Sequence, residues 1–337
     1  MKTTFNRLAL LASLVLTLGL LNGLAGAHPL PGRDILKFSQ KPMDATPVAG
    51  ALFWGHDELS TAYAPMITPN PPSYRGTFMA DDFADKFTSP VVHVRWWGSY
   101  LNNSHQFGKI TKFLIAFEAD QPQGPGAPFS YPIPPIHAQI VDLGALAPGS
   151  GTFTETQVSG GGSPLFEDLF EYNAELALPF AQQADTVHWL KIVALVDHNP
   201  ALDPNDPTSP LPRWGWHNRD YTQQNPLASA AVLPGEQVVG TIGNSPIWHF
   251  QDNAVTGLLD VFTAVNSAGA QVVQQVQQYI PTFHPTYYLD IADGPQGIGQ
   301  YSKDLAFELF TVPEPASCLL GWGALATLAA VRRRTQR

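Results

Sequence analysis

The sequence has almost no cysteine. The only one in 337 residues, Cys318, lies close to the C-terminal end. The rest of the chain can therefore form no disulfide and offers no thiol nucleophile. Its stability must come from apolar burial, and a body of roughly 285 residues is long enough for one large core. We interpret Cys318 as a packing residue rather than a lipidation site.

Common catalytic signatures are also missing. The chain contains no G-x-S-x-G elbow and no H-E-x-x-H helix, which argues against an esterase and a zinc protease. A glycan-cleaving enzyme needs only two carboxylates about 5 to 9.5 Å apart, a spacing that sequence does not reveal. The candidates are Asp57, Glu58, Asp81, Asp82, Glu118 and Asp120. Because carboxylates are abundant here, we expect a protein that is not an enzyme and keep glycan cleavage as an alternative.

Basic residues are scarce in the body of the chain. Six of the 18 Lys and Arg residues and one of the 28 acids lie in the two termini, which leaves 12 basic residues against 27 acidic ones. Affinity for nucleic acid comes chiefly from Lys and Arg. The acidic body therefore excludes nucleic acid as an expected partner.

The N-terminus has the pattern of a secretory signal peptide. Lys2 and Arg7 precede an uncharged, largely apolar run over residues 8–21, and the small residues Ala25 and Ala27 suit signal peptidase. The run is too short to span a membrane comfortably. We therefore predict a signal peptide over residues 1–27, cleaved after Ala27, and export of the body.

The C-terminus combines three parts in a specific order. An extended Pro313-Glu314-Pro315 precedes an apolar stretch, residues 316–331, and a basic end, residues 332–337, that contains Arg332, Arg333 and Arg334. As a helix the apolar stretch would rise about 24 Å, enough to span the membrane once the arginines reach the interface. Basic residues stay cytoplasmic, so the body is expected on the outer side of the inner membrane.

This tail resembles the PEP-CTERM sorting signal of bacterial surface proteins. The resemblance covers residues 312–337 and implies a single transmembrane helix that acts as a transient anchor. It also implies processing near Pro313-Glu314-Pro315 by an exosortase, a membrane protease or transpeptidase. The expected location is the cell surface or the extracellular space.

The pattern of the body predicts many short strands separated by Gly and Pro residues. In residues 91–101, alternation places Val92, Val94, Trp96 and Tyr100 on a core face and His93, Arg95, Trp97 and Ser99 on the other. Residues 112–119 repeat the pattern, with Phe113, Ile115 and Phe117 inward and Lys112 and Glu118 outward. Residues 186–197 are apolar on both faces, as in a central strand. Residues 247–250 and 301–310 also read as strands.

These features predict an all-β fold, an antiparallel, jelly-roll-like β-sandwich over residues 46–311. Residues 28–45 are expected to form a loose leader. Residues 121–135, 149–164 and 199–212 are expected to be long Pro/Gly-rich surface loops, and residues 267–279 a short helix.

The body also resembles a secreted bacterial domain family of unknown function. The matching segments are Ala80-Asp81-Asp82-Phe83, Arg95-Trp96-Trp97-Gly98-Ser99-Tyr100, Trp214-Gly215-Trp216-His217, residues 249–255 and residues 304–309. Residues 218–248 separate two segments that usually lie closer together. The resemblance implies a β-sandwich and assigns no catalytic residue.

Two features of the body suggest binding. Oxygen ligands for Ca²⁺ are concentrated in Asp197, Asn199, Asp203, Asn205 and Asp206, although an ordinary turn loop with no cofactor has the same composition. Trp97, Trp214 and Trp216 are candidates for stacking on sugar rings, with burial in the core as the alternative.

Together these features favour an exported surface or matrix protein with a non-enzymatic structural or adhesive role. Signal peptidase and exosortase are its expected processing partners, and exopolysaccharide or envelope glycans its expected ligands. The alternatives are a carbohydrate-binding module that uses exposed Trp side chains and a glycan-cleaving enzyme.

Overall fold

A computed structural model describes residues 33–44, 53–54, 57–66, 73–122, 130–159, 168–219, 238–242, 245–248, 254–280 and 304–313. These residues are mostly β-strand, with one short 3₁₀ helix at Leu101–Phe107. The predicted all-β class is therefore confirmed.

The strands are β1 (Ile35–Gln40), β2 (Met43–Asp44), β3 (Phe53–Trp54), β4 (Asp57–Leu59), β5 (Thr61–Pro65), β6 (Ser73–Phe83), β7 (Val91–Tyr100), β8 (Lys112–Gln121), β9 (Tyr131–Leu143), β10 (Thr152–Gln157), β11 (Leu169–Phe180), β12 (His188–His198), β13 (Trp214–His217), β14 (Val238–Ile242), β15 (Ser245–Trp248), β16 (Val255–Val265), β17 (Gln271–Tyr279) and β18 (Phe307–Thr311).

Fourteen of these strands form a single open sheet in the order β1-β18-β7-β11-β10-β9-β8-β12-β5-β6-β16-β17, and β13 pairs with both β7 and β4. The pairs β9–β10 and β5–β12 are parallel and the other neighbours antiparallel. The sheet is thus mixed and continuous, and the prediction of an antiparallel sandwich is wrong. Side-chain alternation identifies a face of a strand but not its neighbour.

The larger core lies against one face of this sheet. Trp96 on β7 and Phe113, Ile115 and Phe117 on β8 are fully buried there, as the alternation predicted. Trp96 stacks on Tyr172 of β11 with ring centroids 5.4 Å apart. The predicted core faces of β7 and β8 are therefore correct at these positions.

A second core covers the other face of the central strands. β12 sends Leu190 and Ile192 into the larger core and Trp189 and Val193 into the second one, which confirms a central strand buried on both sides. Strands β16 and β17 contribute Val261 and Val276 to the second core, and β17 lies beside β9. The β16–β17 hairpin therefore covers this face.

Three predictions about chain segments are wrong. Part of the expected leader forms β1, which pairs with β18 and places Phe38 in the core. The expected helix at residues 267–279 contains β17, because pairing with β16 satisfies its backbone in a ladder. The expected loop at residues 149–164 contains β10. The expected loop at residues 199–212 is confirmed as a succession of turns.

No helix in the part of the chain described here is long and apolar enough to cross a membrane. The predicted signal peptide and the predicted apolar helix at residues 316–331 lie outside the described residues. Strand β18 ends at Thr311, and Val312 and Pro313 follow it. Glu314, Pro315 and the three arginines also lie outside.

Candidate functional site

A groove of about 1020 Å³ opens beside the loop that follows β12. Its walls come from β5, β6, β16 and β17, and its rim from the turns of residues 199–213 and the start of the 3₁₀ helix. A concave surface of this size, with apolar walls and a few polar groups, is the usual form of a ligand-binding site.

One wall of the groove presents apolar side chains to solvent. Leu258 on β16 and Tyr279 on β17 face each other across the strand pair and are 60% and 51% exposed. Pro65, Pro204 and Pro207 add further apolar lining. A flat aromatic ring beside aliphatic surface can contact the apolar face of a sugar or another planar ligand.

The floor of the groove carries Tyr63 and His198. Their rings meet edge to face with centroids 6.2 Å apart. His198 Nδ1 lies 2.8 Å from the Asn199 carbonyl oxygen, and because a carbonyl oxygen only accepts, Nδ1 is the donor. The Tyr63 hydroxyl donates to the Pro212 carbonyl at 3.1 Å. Burial raises the pKa of Tyr63 to about 12, although Arg213 opposes the shift.

Arg213 holds the rim loop in place. Its Nη1 donates to the Pro207 carbonyl at 2.5 Å, and its Nη2 donates to the Asp206 carbonyl. The Arg213 backbone exchanges two hydrogen bonds with the Ser104 hydroxyl, at 2.8 and 3.0 Å. The rim is therefore tied both to itself and to the 3₁₀ helix.

The second polar feature of the groove is an ion pair. Arg75 Nε on β6 lies 2.6 Å from Asp260 Oδ1 on β16, and the two residues are cross-strand partners. Because Arg75 is 81% exposed, water screens the pair and it adds little stability. Asp260 is the only carboxylate among the described lining residues. The described lining residues therefore do not include the pair of carboxylates that glycan cleavage uses.

The residues predicted to hold Ca²⁺ adjoin the groove but bond to protein groups. Asp197 accepts the Tyr74 hydroxyl at 2.7 Å and pairs with Lys112 at 2.8 Å. Asn199, Asp203 and Asp206 each accept a backbone N–H two residues further on, at 2.8 to 3.0 Å. These contacts form Asx turns. Of the five, Asn205 alone lines the groove.

The three tryptophans predicted to contact glycans are buried. Trp97 is 5% exposed and packs with Leu169 and Ala306, while Trp214 and Trp216 are fully buried in the larger core. The expectation of exposed indoles is therefore wrong. Trp214 packs on Phe113 of β8 with ring centroids 4.9 Å apart, and Trp216 packs on Phe307 of β18 at 5.9 Å, so side chains of other strands cover both indoles.

The carboxylates considered for catalysis are mostly internal. Asp81 is fully buried, and this burial together with the nearby Asp304 raises its pKa well above the ordinary value. Asp57 accepts the Ser99 hydroxyl at 2.7 Å and lies 3.1 Å from His217 Nδ1. Asp82, predicted with Asp81, is buried as well.

Two further candidates, Asp120 and Glu118, also bond to other side chains of the protein. Asp120 accepts the Trp189 indole N–H at 2.9 Å and the Ser130 hydroxyl at 2.5 Å. Glu118, which alternation placed on a solvent face, is fully buried and pairs with Lys191. The outward prediction for Glu118 is wrong because the β16–β17 hairpin covers that face.

One cluster in the described residues has the ligand types for a metal. Atoms of Asp34, His93 and Glu175 lie within 4.8 Å of one another. Arg33 donates to both carboxylates, each at 2.5 Å. Its guanidinium already supplies the positive charge that a cation would bring, so the cluster is explained as an ion-pair network.

The signals for the groove were weak in the sequence. Its lining comes from β5, β6, β16, β17 and the rim loop, and no motif links these segments. Because a helix was predicted over residues 267–279, Tyr279 was not expected on a strand beside the groove. No local pattern in the sequence indicated that Leu258 would lie beside Tyr279.

The fold and the groove define an all-β protein built on one mixed sheet, with a surface suited to binding. The family described as Domain of unknown function (DUF7901) matches residues 36–254, which is more than half of the chain, and the chain belongs to this family. No curated protein and no solved structure matches it. The matched segment ends at Ala254, directly before β16, although β16, β17 and β18 complete the same sheet.

Proposed function

We propose that this chain is an exported cell-surface or extracellular-matrix protein with a non-enzymatic adhesive role, and that it binds envelope or matrix glycans in the groove. The groove carries the proposal: it combines an exposed Tyr279, the apolar Leu258 and Pro65, and hydrogen-bonding groups on His198 and Arg75. Sugar rings offer the matching surfaces, because they have apolar faces and hydroxyl edges.

Export rests on the two termini. The signal peptide, residues 1–27, directs secretion, and the Pro313-Glu314-Pro315 tail with its apolar stretch and basic end holds the protein in the inner membrane until an exosortase acts. The mature protein then resides at the cell surface or in the exopolysaccharide. The acidic body remains soluble there by repulsion.

A glycan array tests the binding site. The full chain, purified from an exporting host, is compared with Tyr279→Ala and with Phe87→Ala, a control that removes an exposed aromatic ring outside the groove. We expect Tyr279→Ala to weaken glycan binding at least about 10-fold, as loss of roughly 1.4 kcal/mol of contact does, and Phe87→Ala to leave it unchanged. An array that shows no binding, or equal binding by both variants, contradicts the proposal that glycans bind in the groove.

Fractionation tests export separately. In a host that has an exosortase, we expect a mature N-terminus at His28 and loss of the C-terminal tail. Replacement of Arg332, Arg333 and Arg334 by Ala should leave signal cleavage intact and disturb processing of the tail. Intact protein in the cytosol, with both termini unprocessed, contradicts the export proposal. The glycan array tests binding in the groove independently of this result.

A further inference from the structure

Three polar side chains from three strands meet beneath the β16–β17 hairpin. Lys191 Nζ on β12 lies 2.7 Å from Glu118 Oε1 on β8, and both side chains are fully buried. Lys191 Nζ also donates to Gln278 Oε1 on β17. The same nitrogen lies 4.0 Å from the ring centroid of Phe78 in the second core. An amine, a carboxyl group and a carboxamide thus share one largely apolar site.

Burial changes the protonation of this site. It lowers the pKa of the Lys191 amine, and Glu118 offsets that shift only in part. Burial also raises the pKa of the Glu118 carboxyl, although Lys191 and Gln278 oppose the change. Both shifts favour a neutral amine beside a neutral carboxylic acid. A neutral amine is a nucleophile, and a neutral acid can donate a proton.

The carboxamide of Gln278 is held in one orientation. Its Nε2 donates to the Pro132 carbonyl oxygen at 2.7 Å, while its Oε1 faces Lys191. The carbonyl carbon lies one bond, about 1.23 Å, beyond Oε1. The amine and the carbonyl carbon are therefore held close together by the fold, as intramolecular reactions of high effective concentration require.

We propose that Lys191 and Gln278 become joined by an intramolecular isopeptide bond, with Glu118 as the catalytic acid and base. The lone pair on Lys191 Nζ attacks Gln278 Cδ, and an Nζ–Cδ bond forms. Glu118 transfers one proton from Nζ to the departing Nε2, the Cδ–Nε2 bond breaks, and one molecule of ammonia leaves. Glu118 ends in the protonation state in which it began, and no oxidant, metal or other reactant takes part.

The bond would tie the hairpin covalently to the centre of the sheet. β17 is the last strand on its side of the sheet order and covers the second core. Edge strands open most easily, because they have a ladder on one side only. A body that has no cysteine would thus gain a covalent link of the kind that disulfides supply elsewhere.

The chain contains an internal control for this chemistry. Lys112 on β8 and Gln271 on β17 also form a hydrogen bond, with Nζ 3.0 Å from Oε1. Lys112 is 22% exposed and pairs with the Asp197 carboxylate. Unlike Lys191, this amine is open to water and bonded to a carboxylate, so we expect no bond between Lys112 and Gln271.

Mass spectrometry of the full chain tests the proposal. Denatured protein is digested with two proteases, and the peptides are sequenced. We expect the peptides that contain Lys191 and Gln278 to be joined, with a mass lower than their sum by one ammonia, about 17 Da. Lys112 and Gln271 should be recovered in separate peptides. Recovery of Lys191 and Gln278 in separate, unmodified peptides overturns the proposal without need of a variant.

Substitutions then test the roles of the groups. Gln278→Ala and Glu118→Ala should each abolish the joined peptide, and the control Gln271→Ala should retain it. Circular dichroism shows whether each variant is folded before digestion. A joined peptide of unchanged yield in folded Glu118→Ala overturns the role of Glu118. A joined peptide in which the loss is one water indicates a bond to Glu118 itself and also overturns the proposal.

Discussion

His93 and Glu175 are cross-strand partners whose side chains are bonded to each other inside the protein. Nδ1 of His93 on β7 lies 3.0 Å from Oε1 of Glu175 on β11, and the two side chains are 0% and 1% exposed. Nε2 of the same ring lies 3.1 Å from Asn173 Oδ1. Together with Arg33, these residues form a polar network that joins the chain before β1 to the sheet.

We expect this network to make stability depend on pH in the acid range. Burial alone would raise the pKa of Glu175, but hydrogen bonds from His93 and Arg33 outweigh it and lower the pKa. The unfolded state therefore binds this proton more readily, and the free energy of unfolding falls as pH drops below about 4.5. Glu175→Gln should remove this part of the pH dependence, measured by urea unfolding at several pH values. Asp142→Asn, which alters an exposed carboxyl group, should retain it; equal slopes for both variants would contradict the prediction.

The Lys191–Glu118 pair predicts a second stability effect. Lys191→Met leaves the Glu118 carboxyl group buried without its Lys191 partner, and an unsatisfied buried polar group costs about 1–3 kcal/mol. The double variant Lys191→Met/Glu118→Leu should recover much of this loss, because the unpaired carboxyl group is then absent. Neither variant can form the isopeptide bond, so their difference in urea unfolding measures the effect of the unpaired carboxyl group alone. If the double variant has the same free energy of unfolding as Lys191→Met or a lower one, this prediction is wrong.

The close approach of β5 to β6 beside the groove leaves no room for a side chain at Gly76. A Cβ atom there would lie 2.2 Å from the Thr61 carbonyl oxygen and 2.6 Å from Ala62 Cα. Gly76→Ala should therefore lower the free energy of unfolding by about 1–3 kcal/mol or more, since backbone must move. Gly144→Ala is the control, because its nearest contact would be a Thr152 methyl group at 3.3 Å. Similar unfolding midpoints for the two variants would contradict this packing.

Calcium provides a fourth test. Because Asx turns and Arg213 already hold the rim loop together, we expect a chelator to change the melting temperature by less than about 2 °C, which corresponds to roughly 1 kcal/mol or less in a chain of this size. A larger fall on chelation, reversed by Ca²⁺ and absent in Asp203→Asn, would instead support the calcium site that the sequence predicts at Asp197, Asn199, Asp203, Asn205 and Asp206.

The central strands could be predicted because their own residues specify them. Alternation in β7 and β8 identified Trp96, Phe113 and Phe117 as core, and the two-sided apolar pattern identified β12 as central. These patterns follow from the backbone, which directs successive side chains to opposite faces. β17 was missed because Gln and Val in that segment show no clear alternation, and its strand form comes from pairing with β16.

The candidate sites depended on distant parts of the chain. The groove joins β5, β16, β17 and the rim loop, and Lys191, Glu118 and Gln278 are far apart in sequence. No local pattern brings such residues together. Trp97 and Glu118 do lie on the face opposite the larger core, as alternation indicated, but they are buried because other parts of the chain cover that face.

The sequence by itself determined the all-β class, the core faces of the central strands and the acidic, cysteine-free character of the body. Only the tertiary structure decided the mixed sheet order, the burial of Trp97, Trp214 and Trp216, and the meeting of Lys191 with Gln278. The physical reason is that side-chain alternation is a property of one strand, whereas neighbours and coverage depend on contacts between strands that lie far apart along the chain.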